Sequence, residues 1–239
     1  MMEKLLKFQL RNIFHNKLFY VCLLITILTD PITSFIMPFA IKTNQAIPAL
    51  QYIINYLSSE PGIVNIIFIT LFFTFDFTEG TIKNIIARGY SKNIYLISKY
   101  IAVFIGLITV YAIVSIIYFI LFISNGLGYE TTMFPVLIYA FFKIITYSIF
   151  YGTIAFIFEK NSSAIIANLF LPNIVLLVLV NLDSIFKLSI NDYWLESIGT
   201  NFLKNPSFNG LINPILMYIV YIVLFIFVGN YFAKNKEIK

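Results

Sequence analysis

Six stretches of this chain are apolar over about the length that the hydrocarbon core of a bilayer demands, a pattern that soluble folds do not use. In lipid every backbone N–H and C=O must find its partner inside the protein, so a spanning segment is either a helix or part of a closed barrel. A barrel would alternate apolar and polar residues in segments of about ten, and that alternation is missing. The stretches fall at 18–41, 61–78, 100–124, 133–158, 163–181 and 212–232. The second is the weakest, because Asn65, Thr70 and Thr74 interrupt it, and it draws on residues from Tyr56 onward. With 60% hydrophobic and 11% charged residues among 239, and a mean hydropathy of +0.89, the chain reads as an all-α membrane protein with one six-helix transmembrane domain. Residues 1–17 form a lead segment ahead of this domain (18–232), and 233–239 a tail after it.

Basic residues set the expected orientation. With the N-terminus inside, Lys4, Lys7, Arg11, Lys17, Lys83, Arg88, Lys92, Lys99, Lys160, Lys234, Lys236 and Lys239 are cytoplasmic. Only Lys42, Lys187 and Lys204 are external, and Lys143 lies within a span. Twelve against three is a positive-inside distribution, and an even number of spans returns the C-terminus to the cytoplasm. A pI near 9.1 could suggest nucleic acid, but the cations lie beside spans, where anionic lipid headgroups are the simpler partner.

The lead segment interleaves Leu5, Leu6, Phe8, Leu10, Ile13 and Phe14 with Lys4, Lys7, Arg11 and Lys17. It is best read as a basic amphipathic helix lying on the inner, cytoplasmic leaflet, the alternative being a topology signal without fixed structure. The apolar stretch after it is too long for a signal-peptide core and is expected to stay as an anchor. Cys22, the single cysteine, sits inside that stretch and reads as a small hydrophobe.

The segment FTEGTIKNIIARGYSKNIYLISKY, residues 77–100, joins the second and third spans. Thr81–Arg88 can make two helical turns with Ile82, Ile85 and Ile86 on one face and Lys83, Asn84 and Arg88 more exposed, stopped by Gly89. So short a helix is unstable alone and must pack on the spans or on a partner. Ser91 opens a second helical stretch, on which Tyr95, Lys99 and Tyr100 read as interfacial anchors.

An acidic residue past the second span, Gly-Thr-Ile-Lys-Asn, an Ala-Arg-Gly turn, Ser-Lys and a Tyr-Leu-Ile-Ser-Lys entry into the third span resemble permeases of the ABC-2 type. The nearest kind is the small six-span subunit of bacterial lantibiotic-immunity, bacitracin-resistance and cytolytic-peptide exporters. The resemblance extends to the layout of lead helix, six spans and an irregular external segment between spans five and six. It implies that Glu79, Gly80, Thr81, Ile82, Lys83, Asn84, Ile85, Ile86, Arg88 and Gly89 form a coupling helix that docks into a cytosolic ABC ATPase subunit. It also implies ATP and Mg on that partner, a second permease copy or related permease, and short re-entrant helices in the external segment.

That external segment, 182–211, holds Phe186, Tyr193, Trp194, Phe202 and Phe208, and reads as a cap on a pathway or as an interfacial belt. Residues 42–60 form another external piece, with Ile47, Leu50, Ile53, Ile54 and Leu57 at helical spacing along the membrane surface.

Ionisable residues within spans are costly and are partnered or functional by default. Counting along the first and fourth spans puts Asp30 and Lys143 near mid-depth, where they are expected to pair or to line a polar cavity. Asp76, at the inner end of span two, reads as a solvated boundary residue. Pro31, Pro38 and Pro172, the last flanked by Asn168 and Asn173, break backbone pairing and point spans one and five toward protein. In the resembled family both spans lie near the dimer interface and the route, which makes Pro31, Asn168, Pro172 and Asn173 candidates there. Ser148 and Gly152 give span four a small-residue packing face.

No G-x-x-x-x-G-K-[ST] loop is present, and one histidine with one cysteine cannot build a metal site. Catalysis and a cofactor of its own are not expected of this chain. The expected function is an ATP-driven exporter's membrane subunit moving hydrophobic or amphipathic peptides or antimicrobials. A non-transporting anchor or regulatory subunit and an ion-coupled transporter are the alternatives, the last disfavoured by the lack of an internal repeat.

Overall fold

The computed structural model describes residues 2–36, 49–126, 133–187, 189–204 and 207–235. Pro38, Lys42, Ile47, Lys236 and Lys239 lie outside them. The described residues form helices joined by short turns: α1 Met2–His15, α2 Lys17–Ile27, α3 Ala49–Ser58, α4 Ile63–Thr78, α5 Thr81–Ala87, α6 Lys92–Phe122, α7 Met133–Phe158, α8 Asn161–Phe186, α9 Thr200–Lys204 and α10 Phe208–Asn235. Five stretches are long and apolar enough to cross a membrane: Lys17–Ile36, α6, Phe134–Phe158 within α7, α8 and α10. The pair α3 and α4, bent by 44° at their junction, makes a sixth if it counts as one span.

The course of this pair favours that reading. Tyr52 of α3 stacks on Phe122 at the far end of α6 (3.9 Å between ring centres), and Tyr56 meets Tyr111 lower down (4.9 Å). Below the break, Phe73 of α4 meets Tyr100, and Asp76 meets Tyr95 near the start of α6. The two helices thus run antiparallel along almost the whole of α6. Alone, the 16 residues of α4 reach about 24 Å, short of the roughly 30 Å core; the ten of α3 add about 15 Å. The surface placement expected for this piece is therefore corrected. Its apolar face at Ile53, Ile54 and Leu57 is as read, but it is turned into the bundle against α6 and α7.

Helix α7 is the centre. It packs on α3, α4, α6, α8 and α10, and 72% of its spanning window is buried, against 17% for α8 and for α10. This order inverts that of a water-soluble bundle. Tyr139, Lys143, Thr146, Tyr147, Ser148 and Thr153 need partners that lipid cannot offer, so the most polar spanning helix goes inside and the apolar helices face out. Close approach on one side comes from small residues. A Cβ on Gly152 would come within 2.6 Å of the Phe73 ring, and one on Gly229 of α10 within 2.6 Å of the Tyr100 hydroxyl. Tyr100 is wedged between them and shares a hydrogen bond with Thr153 (2.7 Å).

The bundle has two distinct ends. At one lie α1, α5, the turn between α7 and α8, and the end of α10. At the other, residues 189–204 fold back as a cap. Tyr139 donates to the Ile198 carbonyl (2.8 Å), Tyr218 to the Tyr139 hydroxyl (3.1 Å), and Tyr221 to the Tyr193 carbonyl (2.9 Å). The Asp183 carboxylate accepts from the backbone N–H groups of Ile190 and Asn191, both at 2.8 Å. Leu195, Ile198 and Phe202 are buried beneath, so this segment is seated on the end of the bundle.

Candidate functional site at the α5 end

Gly80 takes a left-handed turn (φ +69°) and sends the chain from α4 into α5. Only seven residues long, α5 gains its stability from burial of Ile82 and Ile85. Lys83, Asn84, Ala87 and Arg88 are exposed, Thr81 and Ile86 half-buried. Gly89 ends the helix, and Ser91 caps the next by accepting the N–H of Ile94 (3.3 Å). The bounds match the two turns expected from the sequence.

What holds the end of α4, from which α5 hangs, was not legible. The Asp76 carboxylate, one turn above Gly80, accepts from the Lys99 ammonium (2.9 Å) and from the Tyr95 hydroxyl (2.8 Å) through the same oxygen. The ammonium also reaches the Phe72 carbonyl and lies 3.8 Å from the centre of the Phe72 ring. Lys99 is 1% exposed and Asp76 is buried. Both boundary readings are therefore corrected: Asp76 and Lys99 are buried and paired with each other. Helix α1 is the reason. Its Leu5, Gln9 and Ile13 face packs along the first half of α6, with Ile13 beside Gly106 and Phe68, and covers the pair on one side. Beside the pair remains a polar cavity of about 550 Å³, bounded by Asn12, His15 and Asn16 of the α1–α2 turn, by Glu79 and by Thr81.

Asp30 and Lys143 are not brought together. Lys143 donates to the Ser58 carbonyl at the C-terminus of α3 (2.7 Å), and its acidic neighbours are Glu60 and Glu196. Asp30 lies near Tyr56, Tyr111 and Tyr118, on which its charge acts. Lys99 pairs instead with Asp76, and the exposed Lys7 with Glu3. Pro31 is buried within a π-helical turn, Leu28–Ile32, which widens the backbone around the missing N–H.

The α8 candidates divide between two faces. The Asn168 side chain is buried and donates to the Thr70 hydroxyl (2.7 Å) and the Tyr151 carbonyl (3.1 Å), tying α8 to α4 and α7, and Pro172 is buried one turn on. Asn173 is exposed and turns back on its own helix, donating to the Leu169 carbonyl (2.9 Å).

The sequence also gave no signal for an apolar groove of about 460 Å³ between α3, α6 and α7, with walls that include Leu57, Tyr111, Ile116, Phe119 and Phe141. It opens toward the flank of the bundle. Among the described residues no cluster of three or more His, Cys, Asp or Glu is placed to hold a metal.

The chain matches no family model, no curated protein and no solved structure.

Proposed function

We propose that this chain is the membrane subunit of an ATP-driven exporter, with α5 as the element through which a cytosolic ATPase drives the spans. The observation that carries this reading is the attachment of α5. A short helix with exposed Lys83 and Ala87 hangs from the end of α4, and the buried Asp76–Lys99–Tyr95 cluster clamps that end of α4 to α6. A push on α5 is thereby delivered to two long helices at once. The chain has no phosphate-binding loop, so ATP and Mg belong to the partner.

On this reading the α5 end is cytoplasmic, as are both termini, in a bacterial cytoplasmic membrane. The exposed apolar flanks of α2, α8 and α10 meet lipid and a second permease, its own copy or a related one. A hydrophobic or amphipathic peptide or antimicrobial would reach the apolar groove from the bilayer and leave past the cap. The test is purification from the native membrane in mild detergent. A P-loop ATPase should accompany the wild type and be lost from Lys83→Glu, a change at an exposed position outside the core. If no ATPase accompanies the wild type, the exporter reading fails and a free-standing membrane protein replaces it.

A further inference from the structure

A second cleft, of about 340 Å³, separates α1 from α5. Two cations from different segments line it, Lys4 of α1 and Arg88 at the end of α5, and no carboxylate does. Both are exposed and neither makes an ion pair among the described residues; the nearest acid in sequence, Glu3, is engaged by Lys7 (2.8 Å). Two like charges facing one cavity repel unless an anion lies between them. The further groups around it are the Thr81 hydroxyl, the Asn84 amide and Tyr90, all able to donate hydrogen bonds. A guanidinium fork, an ammonium and neutral donors with no competing acid suit the oxygens of a phosphate.

The position of the cleft selects the carrier of that phosphate. Helix α6 has 31 residues and is about 46 Å long, close to the 40–45 Å between the outer limits of the two headgroup layers. Tyr90 lies just before its first turn, so the cleft opens at headgroup level. Leu5 and Ile85 give it a buried apolar floor, and the exposed Phe8 ring stands at its rim. Such a site takes a phosphate that brings glycerol and acyl chains with it.

We propose that the cleft between α1 and α5 binds the phosphate of an anionic phospholipid from the adjoining leaflet, and that this lipid pins the N-terminal helix to α5. The opposite side of α5, with Lys83 and Ala87, stays open to a soluble partner. The inference depends on the chain's being a membrane protein and is independent of the ATPase, so either can fail alone.

The test is native mass spectrometry of the full chain titrated with phosphatidylglycerol or phosphatidylcholine. Wild type should hold one phosphatidylglycerol in preference to phosphatidylcholine, and the double variant Lys4→Gln/Arg88→Gln should bind it about tenfold more weakly or worse. Arg88→Lys, which keeps the charge but not the fork, should fall between. Lys7→Gln combined with Lys83→Gln, the same loss of two charges outside the cleft, should bind as wild type does. Equal weakening by this control would reduce the effect to diffuse surface charge and overturn the site. Unchanged binding by the double variant would overturn it as well. So would inorganic phosphate that protects the cleft in detergent while phosphatidylglycerol does not, since the source would then be soluble.

Discussion

The ammonium of Lys143 caps a helix that precedes it by 85 residues, donating to the Ser58 carbonyl at 2.7 Å. A helix C-terminus leaves carbonyls without partners and carries partial negative charge, so a buried cation there answers two needs at once. Replacement by methionine keeps the volume and removes the donor. Lys143→Met should therefore lower stability by about 2–3 kcal/mol, the worth of a buried hydrogen bond to a charged group. Thermal unfolding in detergent measures it, and an unchanged midpoint would mean that water replaces the ammonium.

The Asp76–Lys99 pair makes a sharper prediction through non-additivity. Asp76→Asn or Lys99→Met alone leaves one buried charge without its counterpart and should cost about 3–5 kcal/mol. The double variant should cost clearly less than the sum. Strict additivity in the cycle would show that the two side chains act separately.

Gly199 has φ +84°, and a Cβ there would run into the Tyr139 ring. Gly199→Ala should thus unseat the cap without disturbing the rest of the bundle, read as faster amide exchange confined to residues 190–204. Tyr139→Phe removes the bond to Ile198 and should have a weaker effect at the same place, about 1 kcal/mol.

The Glu196 carboxyl, half-buried under the cap, is pushed up to about 6 by burial first and then by Glu60, with Lys143 pulling the other way. A carboxyl raised in the folded state stabilises fully below its unfolded value of about 4.3 and loses that contribution as pH climbs through 6. Melting temperature should accordingly slope downward from about pH 4.5 to pH 6.5, and Glu196→Gln should flatten that part of the curve.

Gln9 is 0% exposed, and neither atom of its amide has a partner among the described residues. A buried amide left unbonded costs about 1–3 kcal/mol, so Gln9→Met should raise the melting temperature. A fall would reveal a bond that the amide makes in the membrane.

Much of this architecture could be read from the chain because lipid imposes a simple length rule. The windows at 100–124, 133–158, 163–181 and 212–232 each fall on a single long helix. α5 was legible as well, since Gly80, Gly89 and the isoleucines at 82, 85 and 86 fix its ends and its inner face. Depth can be counted along a span; azimuth cannot. Asp30 and Lys143 therefore looked like partners, although Lys143 is engaged by the Ser58 carbonyl, and α3 itself is too short to announce a span. Lys99 looked like a headgroup residue because it lies near a helix start, and only the packing of α1 buries it. The cap's tyrosine contacts and the cleft at Lys4 and Arg88 join residues far apart in sequence, where local pattern carries no information.

The break between α3 and α4 has a consequence for how the protein is made. Counted as one span, the pair has two halves each shorter than the bilayer core, and the cation that closes the gap at Ser58 belongs to a helix synthesised later. At roughly 5–20 residues per second, the ribosome needs several seconds to reach it. During that interval the nascent segment must wait at the insertion machinery or beside α6. Biogenesis of this bundle is thus a deferred step, completed from the middle of the sequence backward.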